Sequence, residues 1–340
     1  MLKLHFIAAS LFAGLLLSAC SGSEHVNVYS YRKEKLIKPL LDQFTRETGI
    51  AVNLVTGKDD VLFQRLLSEG ENSPADLLLT VDAGRLYRAK AAELLREVNS
   101  PVLTEAIPSH LRDPDNTWFG LSYRARIVMY NKAKVKPEQL SRYENLVDPR
   151  WRGRICIRSS DNIYNQSLLA SLIAHKGEAA AELWARGIVA NMARPPKGND
   201  RSQMQGAAVG ECDIAIANTY YLGTWLASAK TNELNMAKQL GVFFPNQADR
   251  GAHINVSGGG ITRHAKNPEN ALRLLEYLLS DSAQQWYAQS NHEYPVKDSV
   301  PVSEIVRSWG YPFKSDSLNL NTLGELNAKA VMIFDRAGWR

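Results

Sequence analysis

The sequence predicts an α/β protein of two lobes, with a hinge of crossing strands and a ligand cleft between the lobes. Three observations predict this fold class. Strand-like apolar runs alternate with helix-spaced runs, the alternation stops and restarts near residue 153, and a long apolar segment separates the two series. Alternation of this kind favours parallel strand pairing with right-handed crossovers. The chain of 340 residues is long enough for two such units.

The first series predicts a β-α-β-α-β-α order. Its strands are expected at Val26–Tyr29, Ile50–Val55 and Asp76–Val81, and its helices at Leu36–Thr48, Val61–Glu69 and Asp82–Leu95. The apolar segment Trp118–Asn131 predicts a strand that leaves the first lobe. Gly49, directly after a helix-spaced run, is typical of a helix C-terminus.

The second series predicts two further strands and four helices. The strands are expected at Gly153–Arg158 and Asp213–Ala217, and the helices at Gln166–His175, Gly177–Met192, Gln203–Gly210 and Tyr220–Ala229. Strands at Gly241–Pro245 and His253–Ser257 are expected to return to the first lobe, before a helix at Pro268–Ser280. We therefore expect an N-terminal lobe of residues 25–122 plus about 246–300, and a C-terminal lobe of about 123–245 plus 301–340.

Residues 1–20 predict a lipoprotein-type signal peptide. Lys3 precedes the apolar stretch Phe6–Leu17, and Leu17-Ser18-Ala19-Cys20 resembles a bacterial lipobox in which the cysteine is lipidated. The alternative is an ordinary signal peptide that is cut nearby. No later segment reaches the roughly 18 consecutive apolar residues of a membrane span. The prediction is a periplasmic protein whose contact with a membrane is a lipid anchor on Cys20.

Two further cysteines, Cys156 and Cys212, each lie in a strand-like run. Disulfides persist outside the cytoplasm, so an exported protein can bridge such a pair. The alternative is two buried thiols, because the sequence does not show whether the two strands are neighbours.

Charge and motifs exclude several functional classes. Forty Lys and Arg face 35 Asp and Glu, a net charge of +5 without a basic block, so nucleic-acid binding is not predicted. The sequence has no G-x-S-x-G, H-E-x-x-H, phosphate-binding G-x-x-x-x-G-K or C-x-x-C motif. We therefore predict a binding protein rather than an enzyme.

Three tyrosines are candidate metal ligands. Tyr220 and Tyr221 follow the predicted strand Asp213–Ala217, and Tyr164 lies in another strand-to-helix loop of the same lobe, Ser159–Gln166. As an isolated pair, Tyr220 and Tyr221 would more simply be one core and one rim aromatic. Together, the phenol oxygens can converge on one point, and three phenolates would balance the charge of ferric iron. Open positions on the metal would suit an anion held by arginine or by helix N-termini.

Short segments along nearly the whole mature chain carry a family resemblance. They are Val28–Arg32, Ser73–Asp76, Thr80–Leu86, Gly120–Arg126, Arg158–Ser160, Asn165–Ser167, Gly210–Ile214, Asn218–Tyr221, His253–Gly258 and Tyr294–Val296. In this order they resemble the bacterial periplasmic ferric-iron-binding proteins of ABC transporters. The resemblance implies the two-lobed fold of periplasmic binding proteins, Fe(3+) as the transported ligand and an inner-membrane ABC permease as partner.

The resemblance also implies roles for single residues. Tyr164, Tyr220 and Tyr221 match the metal-binding tyrosines of the family, and Arg124 matches an arginine that holds a carbonate or bicarbonate anion beside the metal. Asp82, by contrast, is interpreted as a helix N-cap and not as a ligand.

One departure from the family lies in the first loop. Many relatives carry a His-Tyr pair there, and this chain has Lys33-Glu34. Glu34 could supply a carboxylate oxygen to the metal, or Lys33 could attract an anion, while the alternative is two solvated charges. The resulting prediction is a monomer that captures ferric iron and delivers it to a permease. The alternative is a small anion or a chelated iron species bound in the same cleft.

Overall fold

The computed structural model describes residues 24–340 of the chain. The predicted signal peptide, residues 1–20, and the predicted lipidation of Cys20 lie outside the described residues. Within residues 24–340, none of the helices combines the length and the apolar character that crossing a membrane requires.

Eight strands and eight helices follow the predicted order, while one short strand and six helices of residues 24–340 were not predicted. The chain begins with β1 (His25–Ser30), α1 (Glu34–Thr48), β2 (Ala51–Thr56), α2 (Asp59–Glu69), β3 (Leu77–Val81), α3 (Ala83–Ala91) and α4 (Pro101–Ala106). It continues with β4 (Phe119–Asn131), β5 (Ile155–Cys156), α5 (Ile163–Lys176), α6 (Glu178–Asn191), α7 (Asp200–Val209), β6 (Ile214–Asn218), α8 (Thr219–Leu226), α9 (Thr231–Gln239) and β7 (Leu240–Phe243). The last part holds β8 (Ile254–Ile261), α10 (Pro268–Tyr277), α11 (Asp281–Ser290), β9 (Tyr294–Pro295), α12 (Glu304–Arg307), α13 (Asn321–Glu325) and α14 (Asn327–Arg336).

One mixed sheet connects the molecule, in the order β2-β1-β3-β8-β4-β6-β5. The strands β1, β2 and β3 pair in parallel, and β8 joins them antiparallel to β3. On the other side, β5 and β6 are parallel, and β6 runs antiparallel to β4. We call β1, β2, β3 and β8 the first half of the sheet, and β5, β6 and β7 the second half. The prediction of an α/β protein is confirmed.

The strand β4 belongs to both halves. Its residues 119–125 pair with β8, and its residues 126–130 pair with β6. Twelve of its 13 residues are buried, which explains its many apolar side chains, although the charged Arg124 and Arg126 are buried there too. Helix α8, which carries Tyr220 and Tyr221, follows β6 directly, and β6 pairs with β4.

Helix α1 packs against the sheet through one apolar face, which its sequence spacing predicts. Its buried side chains recur every three or four residues and include Ile37, Leu40, Leu41 and Phe44. That spacing places them on one face of the helix, against the first half of the sheet. Gly49 follows with a left-handed backbone (φ 77°), and its N–H bonds the Thr45 carbonyl, which ends the helix as predicted.

Three consecutive glycines allow β8 to lie between its neighbours. A Cβ atom on Gly258 would lie 2.3 Å from the Phe119 carbonyl oxygen, and one on Gly260 would lie 2.4 Å from that of Thr117. These approaches leave no space for a side chain, because real Cβ contacts are longer. The glycines serve close backbone packing between strands.

Two predicted elements are placed differently. The strand near Gly241–Pro245 does not return to the first lobe, because β7 pairs with residues 128–131 of β4, in the part of β4 that the second half shares. The return is made by β8 alone, which pairs with both β3 and β4. The helix expected at Asp82–Leu95 is shorter, since Asp82 is its N-cap and the helix ends at Ala91.

A disulfide joins Cys156 in β5 to Cys212, which lies just before β6. Their Cα atoms are 5.9 Å apart, and 56 positions separate them along the chain. The two residues meet because β5 and β6 are neighbouring parallel strands, with Cys156 opposite Ala215. The bond therefore fastens the two strands that precede the candidate tyrosine loops.

Removal of this bond should destabilise the second half of the sheet. A cross-link over a loop of this length restricts the unfolded chain, which is worth about 3–4 kcal/mol. We expect the Cys156→Ser, Cys212→Ser variant to unfold at a lower urea concentration than the oxidised protein, and dithiothreitol to shift only the parent. An equal shift of both proteins by the reductant would contradict this assignment.

Candidate metal and anion site

The three predicted tyrosines lie together at one edge of the sheet. Tyr220 and Tyr221 are in the first turn of α8, and Tyr164 is the second residue of α5. The hydroxyl oxygens of Tyr220 and Tyr164 are 3.4 Å apart, and the ring centroids of Tyr220 and Tyr221 are 4.3 Å apart. All three side chains are half-buried.

The parallel pairing of β5 and β6 brings these tyrosines together. Helix α5 follows β5 after a short loop, and α8 follows β6 directly. The carboxyl ends of neighbouring parallel strands meet at the same edge of a sheet, so both helix N-termini open toward one point. Backbone N–H groups at such termini favour negative charge.

Arginines surround the tyrosine cluster. The guanidinium carbon of Arg124 lies 5.3 Å from the centre of the Tyr164 ring, and those of Arg126 and Arg158 lie 5.9 Å from it. On the other side, the guanidinium carbon of Arg201 lies 5.9 Å from the centre of the Tyr221 ring. This concentration of positive charge favours phenolate over phenol at the tyrosines, and it favours an anionic ligand beside them.

Burial works against phenolate formation as long as no cation is bound. It raises the pKa of Tyr220 well above its usual value, and the neighbouring Tyr164 and Tyr221 raise it further, while Arg124 opposes them. Burial is also the main reason why the pKa of Tyr221 is raised. Both phenols are therefore protonated at neutral pH, and a metal that binds them as phenolates must displace those protons.

Arg124 lies on β4 with only 2% of its surface exposed. Among residues 24–340, Nη1 and Nη2 have no hydrogen-bond partner, although both atoms are buried. A narrow gap, too small for a water molecule, borders this guanidinium, and Asp82, Tyr164 and His253 also line it. Buried donors of this kind are rare in proteins, and they mark a place where an anion would be stabilised.

Asp82 is the nearest negative charge to Arg124. Its Oδ2 atom lies 3.6 Å from Nη2 of Arg124, and its Oδ1 atom accepts a hydrogen bond from the N–H of Gly84. The N-cap interpretation of Asp82 thus agrees with the structure, but it misses the arginine. The sequence does not show the contact of Asp82 with Arg124, because 42 positions separate the two residues.

Arg126 connects the two tyrosine loops, and it was not among the predicted site residues. Its Nη2 atom donates to Oδ1 of Asn165 at 2.6 Å, and its Nη1 atom donates to Oδ1 of Asn218 at 3.1 Å. Asn165 follows Tyr164 in α5, and Asn218 is the N-cap of α8. One signal could have found it: Arg124 and Arg126 are two residues apart in a strand, so both side chains point to the same face.

The first-loop pair Lys33 and Glu34 lies at the start of α1, and both residues are exposed. The buried charge of this loop is Arg32, which pairs with Glu293 at 3.0 Å. Glu293 also accepts a hydrogen bond of 2.6 Å from the hydroxyl of Ser122 in β4. A contact of Lys33 or Glu34 with a ligand remains a prediction.

Residues 24–340 contain no group of three or more His, Cys, Asp or Glu side chains that is arranged to hold a metal ion. The tyrosine cluster is thus the candidate metal centre that the sequence and the geometry share.

Comparisons with known proteins give a consistent result. Residues 72–313 match the family described as bacterial extracellular solute-binding protein. Iron uptake protein A1 of Synechocystis sp. is 50% identical over 317 residues, which cover 93% of this chain and 88% of that protein. A solved Trichodesmium structure is described as IdiA or FutA in complex with iron and citrate ligands. It has a TM-score of 0.90 and is 49% identical, and the match covers 93% of this chain and 100% of that one. The ferric binding protein from Campylobacter jejuni has a TM-score of 0.88 and 39% identity, with the same coverage of 93% and 100%.

These similarities confirm two predictions. The two-lobed α/β fold is confirmed, because the solved structures share it over 93% of the chain. The resemblance to ferric-iron-binding proteins is confirmed as well, since relatives with those names match over most of their length.

The charged environment of His253 should make stability depend on pH. Burial, with Arg126 and Arg124 nearby, lowers the pKa of His253 to about 3 from 6.5. Between these values the unfolded chain binds a proton that the folded protein does not, so stability falls as the pH falls. From pH 6 to pH 5, we expect this residue to lower the free energy of unfolding by roughly 1 kcal/mol.

Urea denaturation at both pH values measures this loss, and His253→Gln is the matched variant. The variant should lose less stability than the parent over this interval, because glutamine does not titrate. Equal losses in the two proteins would contradict the assignment.

Proposed function

The chain belongs to the bacterial extracellular solute-binding proteins, and from this premise we propose that it captures ferric iron in the periplasm and delivers it to an inner-membrane ABC permease. One observation carries the proposal. The Tyr164 and Tyr220 hydroxyl oxygens lie 3.4 Å apart beside Tyr221, within a ring of arginines. The names of similar proteins, which refer to iron uptake and ferric binding, support the choice of metal.

In this proposal, Tyr164, Tyr220 and Tyr221 bind Fe(3+) as phenolates. Ferric iron is a hard cation, and three phenolates neutralise its charge. The raised pKa values of Tyr220 and Tyr221 keep the empty site protonated, so capture exchanges protons for the metal. Capture and release require no chemical conversion, which agrees with the absence of an enzyme motif.

Arg124 holds a small anion, such as carbonate or bicarbonate, next to the iron. Its unpaired Nη1 and Nη2 atoms, together with the N-termini of α5 and α8, provide donors on one side of the metal. The anion would complete the coordination that the three tyrosines leave open.

The proposed lobes follow the two halves of the sheet. Residues 25–122 plus about 246–300 form the N-terminal lobe, and about 123–245 plus 301–340 form the C-terminal lobe. Both meet at β4, where bending would open or close the cleft. The protein would act as a monomer, with one cleft for one metal ion.

A second candidate is a small anion or a chelated iron species as the ligand. The buried and unpaired guanidinium of Arg124 favours it. The similar Trichodesmium structure, which contains iron and citrate, also supports a chelated iron species as the ligand. The two candidates differ in colour, because tyrosinate-to-iron charge transfer absorbs visible light and a complex with an anion alone does not.

A visible-absorbance titration with ferric citrate and bicarbonate tests direct binding. We expect a saturable band in the parent protein and none in the Tyr220→Phe, Tyr221→Phe variant, because both phenolate donors are lost. Tyr130→Phe is the matched control, since this buried ring packs over Gly241 at the far end of β4. A folded parent protein without a band would contradict the tyrosinate site.

Proton release gives an independent test of the same donors. Because Tyr220 has a raised pKa, iron binding at pH 7 should release its proton. We expect Tyr220→Phe to release about one proton fewer per bound iron than the parent, as measured with a pH indicator in weak buffer. Equal release by both proteins at saturation would exclude Tyr220 as a phenolate ligand.

A further inference from the structure

We propose that the Asp82 carboxylate is a resident counter-ion of Arg124, which competes with the bound anion and limits how tightly the anion is held. The inference rests on the anion-binding role proposed for Arg124 and concerns the regulation of that same site. It gives Asp82 a function that its position as a helix N-cap does not suggest.

Arg124 is incompletely paired with Asp82. Asp82 is fully buried (0% exposed) and Arg124 nearly so (2%), so their charges attract in a medium of low polarity. At 3.6 Å, however, the contact between Oδ2 and Nη2 is an ion pair without a hydrogen bond. Asp82 therefore balances the charge of Arg124 and leaves its N–H groups available.

Hydrogen bonds hold the Asp82 carboxylate in place. Its Oδ1 atom accepts hydrogen bonds from the hydroxyl of Ser167 at 2.6 Å and the N–H of Gly84 at 3.0 Å, and its Oδ2 atom accepts one from Nδ2 of Asn255 at 2.9 Å. Burial raises the pKa of Asp82, while Arg124, Ser167 and Gly84 oppose that rise and favour the ionised carboxylate. The carboxylate cannot turn toward Arg124 without losing these bonds.

Arg126, on the same strand face, differs from Arg124 in how its terminal nitrogens are paired. Arg126 also has a buried carboxylate partner, Asp200, at 3.4 Å. Its Nη1 and Nη2 atoms, however, are engaged by Asn218 and Asn165. Among residues 24–340 the Nε atom of Arg126 has no partner, but both of its terminal nitrogens are used by the fold, whereas those of Arg124 are open.

Ser167 links this arrangement to the metal site. It lies in α5 one turn after Tyr164, while Asp82 lies at the end of β3 in the first half of the sheet. The Asp82 carboxylate therefore joins both halves of the molecule to the anion-binding arginine. An anion at Arg124 would lie within a few ångströms of this negative charge, and the repulsion would weaken its binding.

The test measures bicarbonate binding without iron, by calorimetry and by thermal unfolding at one fixed pH. In Asp82→Asn, Arg124 becomes a buried unpaired charge, so the variant should be less stable than the parent and regain stability as bicarbonate is added. We expect its half-saturating bicarbonate concentration to be lower than that of the parent by at least about tenfold. The additional Arg124→Gln substitution should abolish the response.

Asp113→Asn is the matched control. Asp113 is also fully buried (0% exposed) and pairs with a cation, Lys90, at 2.7 Å, but it lies outside the tyrosine site. Its loss should lower stability without any rescue by bicarbonate. Asp82→Gly is the second variant, because glycine readily adopts the left-handed backbone of Asp82 (φ 90°), and it should bind bicarbonate as tightly as Asp82→Asn.

Bicarbonate binding that is unchanged, weaker or undetectable in both folded Asp82 variants would overturn the proposal. This outcome is independent of the iron titration, because no metal is present. A parent protein that fails to bind iron, combined with tighter bicarbonate binding in the Asp82 variants, would contradict the proposed metal function alone.

Discussion

Two arginines buried on one strand impose the constraint around which this molecule is arranged. Arg124 and Arg126 point to the same face of β4, at the place where the pairing of this strand changes from β8 to β6. Buried guanidinium groups need negative or polar partners, since an unpaired charge in the interior is strongly destabilising. Asp82 comes from the first half of the sheet, while Asp200, Asn165 and Asn218 come from the second. The ion pairs and hydrogen bonds of Arg124 and Arg126 thus connect both halves of the molecule to β4.

The candidate site follows from this arrangement. The residues that pair with Arg126 flank the tyrosines, so one guanidinium sets the relative position of α5 and α8. The disulfide between Cys156 and Cys212 fastens the strands that lead into the same loops. A rigid base of this kind suits metal capture, in which three donors must meet at one point before the metal arrives.

The electrostatics of the site are balanced between two demands. Burial keeps the phenols of Tyr220 and Tyr221 neutral, which avoids three adjacent negative charges in the empty protein. The surrounding arginines would then stabilise the phenolates once a trivalent cation compensates their repulsion. The same positive field favours an anion, and Asp82 offsets part of that field at Arg124. Neutral phenols and the proposed counter-ion would both keep the empty site from holding charge that only the ligand can neutralise.

The sequence by itself determined the order of β1 to β8 and of eight helices, the mostly apolar character of β4 and the three tyrosines, because periodicity, helix ends and short motifs are local properties of a chain. It also supplied the resemblance on which the assignment of Tyr164, Tyr220, Tyr221 and Arg124 rests. Only the tertiary structure decided three contacts: the strand with which β7 pairs, the proximity of Cys156 to Cys212, and the contact between Asp82 and Arg124. Each of these joins residues far apart in sequence, and a local pattern carries no information about which distant group will satisfy a buried charge or an unpaired strand edge.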